Sequence, residues 1–139
     1  MNYEEKKEWL GRYRKAEKLY QNLSYRLAEA QTATRHITQN YSAAPGGSRD
    51  GQNLACAVER EEEAERKAYA QLAVCDALFN EIEAALLQIP DNKGYIILHE
   101  YYLNCLTWEQ IAERMDISLR WLHLLRRNTI DALDIGSLH

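Results

Sequence analysis

The sequence predicts an all-α protein, in which a long antiparallel helical hairpin resembling a coiled coil is followed by a C-terminal helix-turn-helix. Two apolar series advance in alternating steps of four and three residues, the period of a coiled-coil seam. Six glycines and two prolines are few for 139 residues, as long helices require. Two short amphipathic segments near the C-terminus complete the pattern. We expect a hairpin over residues 1–89 and a helix-turn-helix domain over 90–139.

The first apolar series predicts one long helix in which Gly11 is the only interior breaker. Its seam positions are Trp9, Tyr13, Ala16, Tyr20, Leu23, Leu27, Ala30, Thr34, Ile37 and Tyr41. The segment that follows is rich in Gly and contains Pro45, and it cannot continue a helix. We therefore expect a flexible loop near residues 41–52.

The second series predicts a helix from about Gln52 to Ile89. Its seam positions are Ala68, Leu72, Cys75, Phe79, Ile82, Leu86 and Ile89. Further upstream the period meets Glu61 and Glu65, with Leu54, Ala57, Val58 and Ala64 as the apolar residues nearby. A helix this long cannot bury its stripe alone, so the two helices pair within one chain or between two chains. The antiparallel hairpin is the simplest arrangement.

Composition and motifs argue against several classes of protein. Three cysteines, an odd number without a C-x-x-C pair, indicate neither a disulfide framework nor a zinc site, and they favour a reducing cytoplasm. No run of eighteen apolar residues suggests a membrane span. The four histidines are scattered, His99-Glu100 lacks the second histidine of a zincin helix, and no Gly-rich phosphate loop is present. We expect no catalytic activity, no cofactor and no metal.

The C-terminal third carries the signals of a helix-turn-helix. The stretch from Pro90 to Gly94 ends the second long helix, and a short amphipathic helix follows around residues 95–103. Thr107 with Gln110 forms a predicted capping box. After the turn Asp116-Ile117-Ser118, Ser118 caps the last helix. The predicted contact between the two helices consists of Trp108, Ile111, Ala112, Met115, Ile117, Leu122, Leu125, Thr129 and Leu133.

The last helix is locally basic in an acidic protein. The formal net charge is −4, yet the stretch from Ser118 to Asn128 holds three arginines and no acid. The N-terminal part of a recognition helix enters the major groove of DNA, where Arg suits guanine and phosphate. Leu119, Arg120 and His123 project from that part, and we assign Arg120 and His123 to bases. The predicted phosphate contacts are Arg126 and Arg127, with Ser118 and Thr107 at the helix starts.

These residues also resemble a known family. The segment from Pro90 to Leu133, with Leu106-Thr-Trp-Glu-Gln-Ile-Ala-Glu-Arg-Met and Ile117-Ser-Leu-Arg-Trp-Leu, is similar to sigma factor region 4 and its phage-borne relatives. Ser118-Leu-Arg-Trp-Leu122 is especially similar to small proteins of Firmicutes prophages, the ArpU and RinA-type late-gene activators. The resemblance implies sequence-specific DNA binding in transcription control. The sequence departs from the family at Asp116, a turn position that Gly or Asn usually holds, and at Leu124, a place usually polar.

Several partners and one alternative function remain open at this stage. Double-stranded DNA is the expected partner, and the acidic balance favours cooperation with RNA polymerase or self-association into a homodimer or higher homo-oligomer through the long helices. The alternative function is a small terminase-like DNA-packaging or protein-interaction adaptor. In a third interpretation, the helix-turn-helix docks protein only.

Overall fold

The all-α prediction is confirmed by the computed structural model, which describes residues 1–41 and 48–136. Within these ranges every regular element is helical and no strand occurs. The helices are α1 Tyr3–Leu10, α2 Arg12–Tyr41, α3 Ser48–Leu86, α4 Asn92–Tyr102, α5 Trp108–Met115 and α6 Leu119–Ala132.

Several helix boundaries differ from the sequence prediction. The second long helix ends at Leu86 instead of Ile89, and α4 begins at Asn92, inside the stretch from Pro90 to Gly94 that was predicted to be a turn. The first long helix is divided at Gly11, which is the C-cap of α1, and α1 begins at Tyr3 because the side chain of Asn2 accepts a hydrogen bond from the Glu5 N–H at 2.8 Å. The second long helix begins at Ser48 instead of Gln52, so residues 48–51 of the predicted loop are helical. The rest of that loop, residues 42–47, lies outside the described residues.

The chain divides into two compact units. Unit 1 consists of Met1–Ala16 and Cys75–His139, and unit 2 of Glu17–Val74. The physical reason is burial, because both long helices contribute side chains to the same hydrophobic core as α4, α5 and α6. The fully buried members of that core include Leu10, Ile82, Leu86, Ile97, Leu98, Ile111, Leu122, Ile130 and Ile135.

In unit 2 the predicted apolar period coincides with the pattern of burial. The seam positions of α2 from Tyr20 to Ile37 are all half-buried, and positions between them are mostly exposed. In α3, Ala57 and Ala68 are buried, and the series passes through Glu61 and Ala64. The hydroxyl of Thr34 donates a hydrogen bond to the carbonyl of Ala57 at 3.3 Å, so α2 and α3 lie side by side here.

In unit 1, helices α4 and α6 approach each other closely at Gly94. A Cβ atom at Gly94 would lie 2.5 Å from Oγ1 and 2.9 Å from Cγ2 of Thr129, and both distances are shorter than van der Waals contact. The Thr129 side chain is fixed in place, because its hydroxyl donates to the Leu125 carbonyl at 2.7 Å. Because Gly94 has no side chain, α4 and α6 can pack closely here, and no room is left for a larger residue.

Candidate nucleic-acid interface

Helix α5 begins with the predicted capping box. Thr107 Oγ1 accepts a hydrogen bond from the Gln110 N–H at 3.1 Å, and Gln110 Oε1 accepts one from the Thr107 N–H at 3.0 Å. This reciprocal pair satisfies two backbone donors that the helix itself leaves unpaired. Thr107 is the N-cap of α5, the position that the sequence predicts for it, and it is exposed.

The connection between α5 and α6 is a tight turn that contains one left-handed residue. Asp116 has φ 54° and ψ 49°, and its N–H donates to the carbonyls of Ala112 and Glu113. The Ile117 N–H also donates to the Ala112 carbonyl, at 3.0 Å. Ser118 then caps α6 by accepting a hydrogen bond from the Trp121 N–H at 3.1 Å. Asp116 thus adopts the backbone conformation that Gly or Asn favours.

Helix α6 has one buried face and one exposed face. Leu122, Ile130 and Leu133 are buried, Leu125 and Thr129 are half-buried, and the helix packs against α1, α4 and α5. The exposed side chains of α6 are Leu119, Arg120, Trp121, His123, Leu124, Arg127, Asn128, Asp131 and Ala132. Both the predicted apolar contact and the exposure of Arg120 and His123 therefore agree with the structure.

Arg120, Arg127 and His123, which the sequence predicts as polar contacts, are all exposed but have different neighbours. Arg120 is exposed and forms no ion pair with any residue of the described ranges. The Arg127 side chain is 69% exposed, with its Nε 3.9 Å from the Asp131 carboxylate and its guanidinium 5.2 Å from the Tyr3 ring. A pair this exposed and this long contributes little, so Arg127 can turn to another anion. His123 is exposed, with its ring 6.0 Å from that of Trp108.

Arg126 belongs to a stack of four side chains in unit 1. The Tyr101 and Trp108 rings lie parallel, with centroids 3.6 Å apart and an interplanar angle of 7°. The Arg14 guanidinium covers the outer face of this pair at 4.0 Å from the Tyr101 centroid, and the Arg126 guanidinium lies 4.5 Å from the Trp108 centroid. We call these four side chains the aromatic stack. Cations over aromatic faces are attracted by the ring quadrupole, most strongly where water is excluded.

Hydrogen bonds fix the two ends of the aromatic stack differently. The Arg14 guanidinium donates to the Tyr101 carbonyl at 2.7 Å and to the Leu106 carbonyl at 3.3 Å, near the end of α4. The Tyr101 carbonyl is one of the last four of α4, which lack partners within the helix, and Leu106 lies in the connection before α5, so Arg14 ties the end of α4 to that connection. At the other end, Arg126 Nε is buried and has no hydrogen-bond partner among the described residues. Arg126 is therefore less available to phosphate than its neighbour Arg127.

Tyr102, beside Arg126, has a perturbed hydroxyl. Burial raises the pKa of Tyr102 from the ordinary 10.0 to about 12, while the positive charge of the nearby Arg126 acts in the opposite direction. The hydroxyl is thus neutral in the folded protein at any physiological pH. It donates or accepts hydrogen bonds but carries no charge to the interface.

The ionisation of Tyr102 predicts a loss of stability at high pH. An unfolded tyrosine ionises near pH 10 and the folded one near 12, so the unfolded state releases its proton first and gains stability as the pH rises between these values. The free energy of unfolding should fall by about 2 to 3 kcal/mol more across this window than in Tyr102→Phe. Urea unfolding at a series of pH values measures this, with Tyr25→Phe, at an exposed ring, as the control. Parallel curves for the wild type and Tyr102→Phe would contradict it.

Three large apolar side chains are exposed on α6, and the sequence predicts only one of them, Leu119, as a site residue. Trp121 is 46% exposed, Leu124 50% and Leu119 40%. Leu124 departs from the family pattern, in which this place is usually polar, and its exposure agrees with that pattern. The sequence assigns no role to Trp121. The available signal was its position three residues before Leu124, on the same face of a helix as a place that is usually polar.

The described part of the chain contains no metal-binding cluster and no membrane-spanning helix. No three His, Cys, Asp or Glu side chains of residues 1–41 and 48–136 are grouped so as to hold a metal ion. Across the same residues, every helix is too short or too polar to cross a membrane. The chain matches no protein-family model, no curated protein and no solved structure.

Proposed function

We propose that this protein is a sequence-specific DNA-binding regulator of transcription, with α5 and α6 as a helix-turn-helix that follows a hairpin of the long helices. The observation that carries the proposal is the exposed face of α6, which presents Arg120, His123 and Arg127 and contains no acid from Ser118 to Asn128. A locally basic helix on an acidic protein suits contact with a polyanion at one place.

The local geometry supports the helix-turn-helix interpretation. Two helices of 8 and 14 residues are joined by a left-handed residue, an apolar residue packed on the core and a cap. The first turn of α6 is free of core contacts on its outer side, so Arg120 and His123 can reach base edges while the Ser118 end of the helix faces a phosphate.

One predicted role changes in this proposal. Arg120 and His123 keep the role of base contacts, and Arg127 with the helix starts at Ser118 and Thr107 keeps that of phosphate contacts. Arg126, which the sequence assigned to phosphate, becomes a positioning residue, because its guanidinium lies on Trp108 and its Nε is buried. The charge of Arg126 adds to the positive electrostatic potential of the α6 surface, although its side chain does not contact DNA directly.

The resemblance to phage-borne relatives of sigma factor region 4 extends the proposal to late genes of a phage or prophage, with RNA polymerase as a second partner. Self-association through the long helices would double the number of DNA contacts, which a weakly basic protein needs for affinity. The alternative is a terminase-like packaging adaptor. A ring-shaped assembly that binds DNA without altering transcription would favour the adaptor.

The experiment is selection of bound duplexes from a random double-stranded library, followed by gel-shift titration of the winner. Arg120→Ala is expected to weaken binding by about 5- to 150-fold, the effect of losing one bidentate contact of about 1 to 3 kcal/mol. Arg66→Ala is the matched control, because Arg66 is a surface arginine of unit 2 paired with Glu63 at 2.8 Å. Far-ultraviolet circular dichroism verifies that both variants remain folded.

Two outcomes would contradict the proposal. If no duplex is enriched over the starting library, the protein does not recognise DNA by sequence. If Arg120→Ala and Arg66→Ala reduce affinity equally, binding is a general effect of charge, and the exposed face of α6 is not the contact surface.

A further inference from the structure

The exposed face of α6 carries two large apolar side chains beside its cations. Trp121 is 46% exposed and Leu124 is 50% exposed, and they are three residues apart on the helix. Residues at this spacing are neighbours on a helix surface, and Leu124 is also four residues from Arg120 and three from Arg127. The apolar pair is therefore embedded among the cations.

This combination restricts what can bind the face. A purely apolar partner would leave Arg120 and Arg127 desolvated without an anion, at a large energetic cost. A purely anionic partner would leave Trp121 and Leu124 in water. The major groove of DNA offers both kinds of group, since the phosphates line its edges and the C5-methyl of thymine is the apolar group that projects into it.

We propose that Trp121 and Leu124 read thymine methyl groups in the major groove, so that the preferred site contains thymine next to the base pairs contacted by Arg120 and His123. The inference rests on the proposed function and specifies its ligand. Apolar side chains that approach a methyl group exclude water from it, and the gain in affinity depends on whether the base carries that methyl. Cytosine and the purines offer no such group at this position.

The surroundings of the pair support a role in contact over a role in packing. Leu122 and Leu125, their neighbours along the helix, account for the core contact of this part of α6, and they are buried and half-buried. Trp121 forms its backbone hydrogen bond with Ser118, so the cap needs the backbone of residue 121 but not its indole. The indole can therefore be removed without loss of the helix start.

The test replaces thymine by deoxyuridine, which removes only the methyl group. Single thymines in the core of the duplex obtained by selection are replaced in turn, and affinity for the wild-type protein is measured by gel shift or fluorescence anisotropy. We expect a loss of about fourfold for each contacted methyl, the effect of burying one such group. Deoxyuridine placed in the flanks of the same duplex is the control and should change nothing.

The protein side of the test uses Trp121→Ala and Leu124→Ala. Each variant should bind the thymine duplex more weakly and should lose its sensitivity to deoxyuridine at one or more core positions. Leu87→Ala, at a residue that is 65% exposed in the connection after α3, is the matched apolar control and should retain full sensitivity.

The outcomes separate this inference from the proposed function. If a duplex is selected but lacks thymine in its core, or if deoxyuridine binds as well as thymine, the inference is wrong while DNA recognition stands. The same conclusion follows if Trp121→Ala and Leu124→Ala both keep the full deoxyuridine penalty. If both variants bind DNA normally but no longer capture RNA polymerase, the apolar pair is a protein contact. If no duplex is enriched, both proposals fail.

Discussion

Trp108→Ala is expected to lower the free energy of unfolding by about 2 to 4 kcal/mol, somewhat less than the loss of a fully buried aromatic side chain because the indole is half-buried against the core. The indole is the inner layer of the aromatic stack, between the Tyr101 ring and the Arg126 guanidinium. Its removal takes away the stacked pair and one cation contact together, and it also leaves a void at the start of α5. Chemical denaturation followed by far-ultraviolet circular dichroism measures the loss.

A matched pair of variants tests whether the stack is responsible. Trp121→Ala removes the same side chain from the exposed face of α6, where the indole is 46% exposed, and should cost less than about 1 kcal/mol. Trp108→Phe keeps an aromatic layer and should recover much of the loss. If Trp108→Ala and Trp121→Ala are equally stable, the aromatic stack does not hold unit 1 together.

Gly94→Ala and Gly94→Val should destabilise the contact between α4 and α6 in that order, by about 1 to 3 kcal/mol for alanine and more for valine. The added Cβ would lie 2.5 Å from Thr129 Oγ1, and the threonine cannot rotate away without losing its hydrogen bond to Leu125. Alanine ordinarily favours a helix over glycine by about 0.5 to 1 kcal/mol, so the measured loss is the clash minus this gain.

A double-mutant cycle isolates the clash. Thr129→Ala removes both atoms nearest to the new Cβ, so the pair Gly94→Ala with Thr129→Ala should be more stable than the sum of the single changes implies. Thermal or urea unfolding of the four proteins gives the coupling energy. Additive effects would show that α4 and α6 can separate at this point without cost.

Local periodicity and capping were predictable from the sequence because they depend on neighbours in the chain. The seam from Trp9 to Ile37 is buried or half-buried at every predicted position, and Thr107 and Ser118 cap the helices they were predicted to cap. The left-handed turn falls on Asp116, the residue singled out at that place. These features follow from helical geometry and from the hydrogen-bonding needs of helix ends.

Features that depend on tertiary placement were not predictable in the same way. The sequence does not indicate that α1 and the end of α3 share the core of α4, α5 and α6, because these contacts join residues far apart in the chain. The role of Arg126 was predicted from its charge, whereas the guanidinium lies on Trp108, a residue 18 positions earlier in the chain. Nothing in the spacing of these residues indicates that Arg14 covers the other side of the same aromatic pair.

Because Arg14 belongs to the aromatic stack, the C-terminal helices depend on the N-terminal part of the chain. The surface proposed to read DNA depends on side chains from the first sixteen residues, so a fragment that begins at Pro90 lacks one outer layer of the stack as well as the buried Leu10 and Ile82. We therefore expect that such a fragment does not form the proposed DNA-binding surface by itself. A fusion protein that carries only the C-terminal helices would therefore lack the side chains that pack against them in the intact chain.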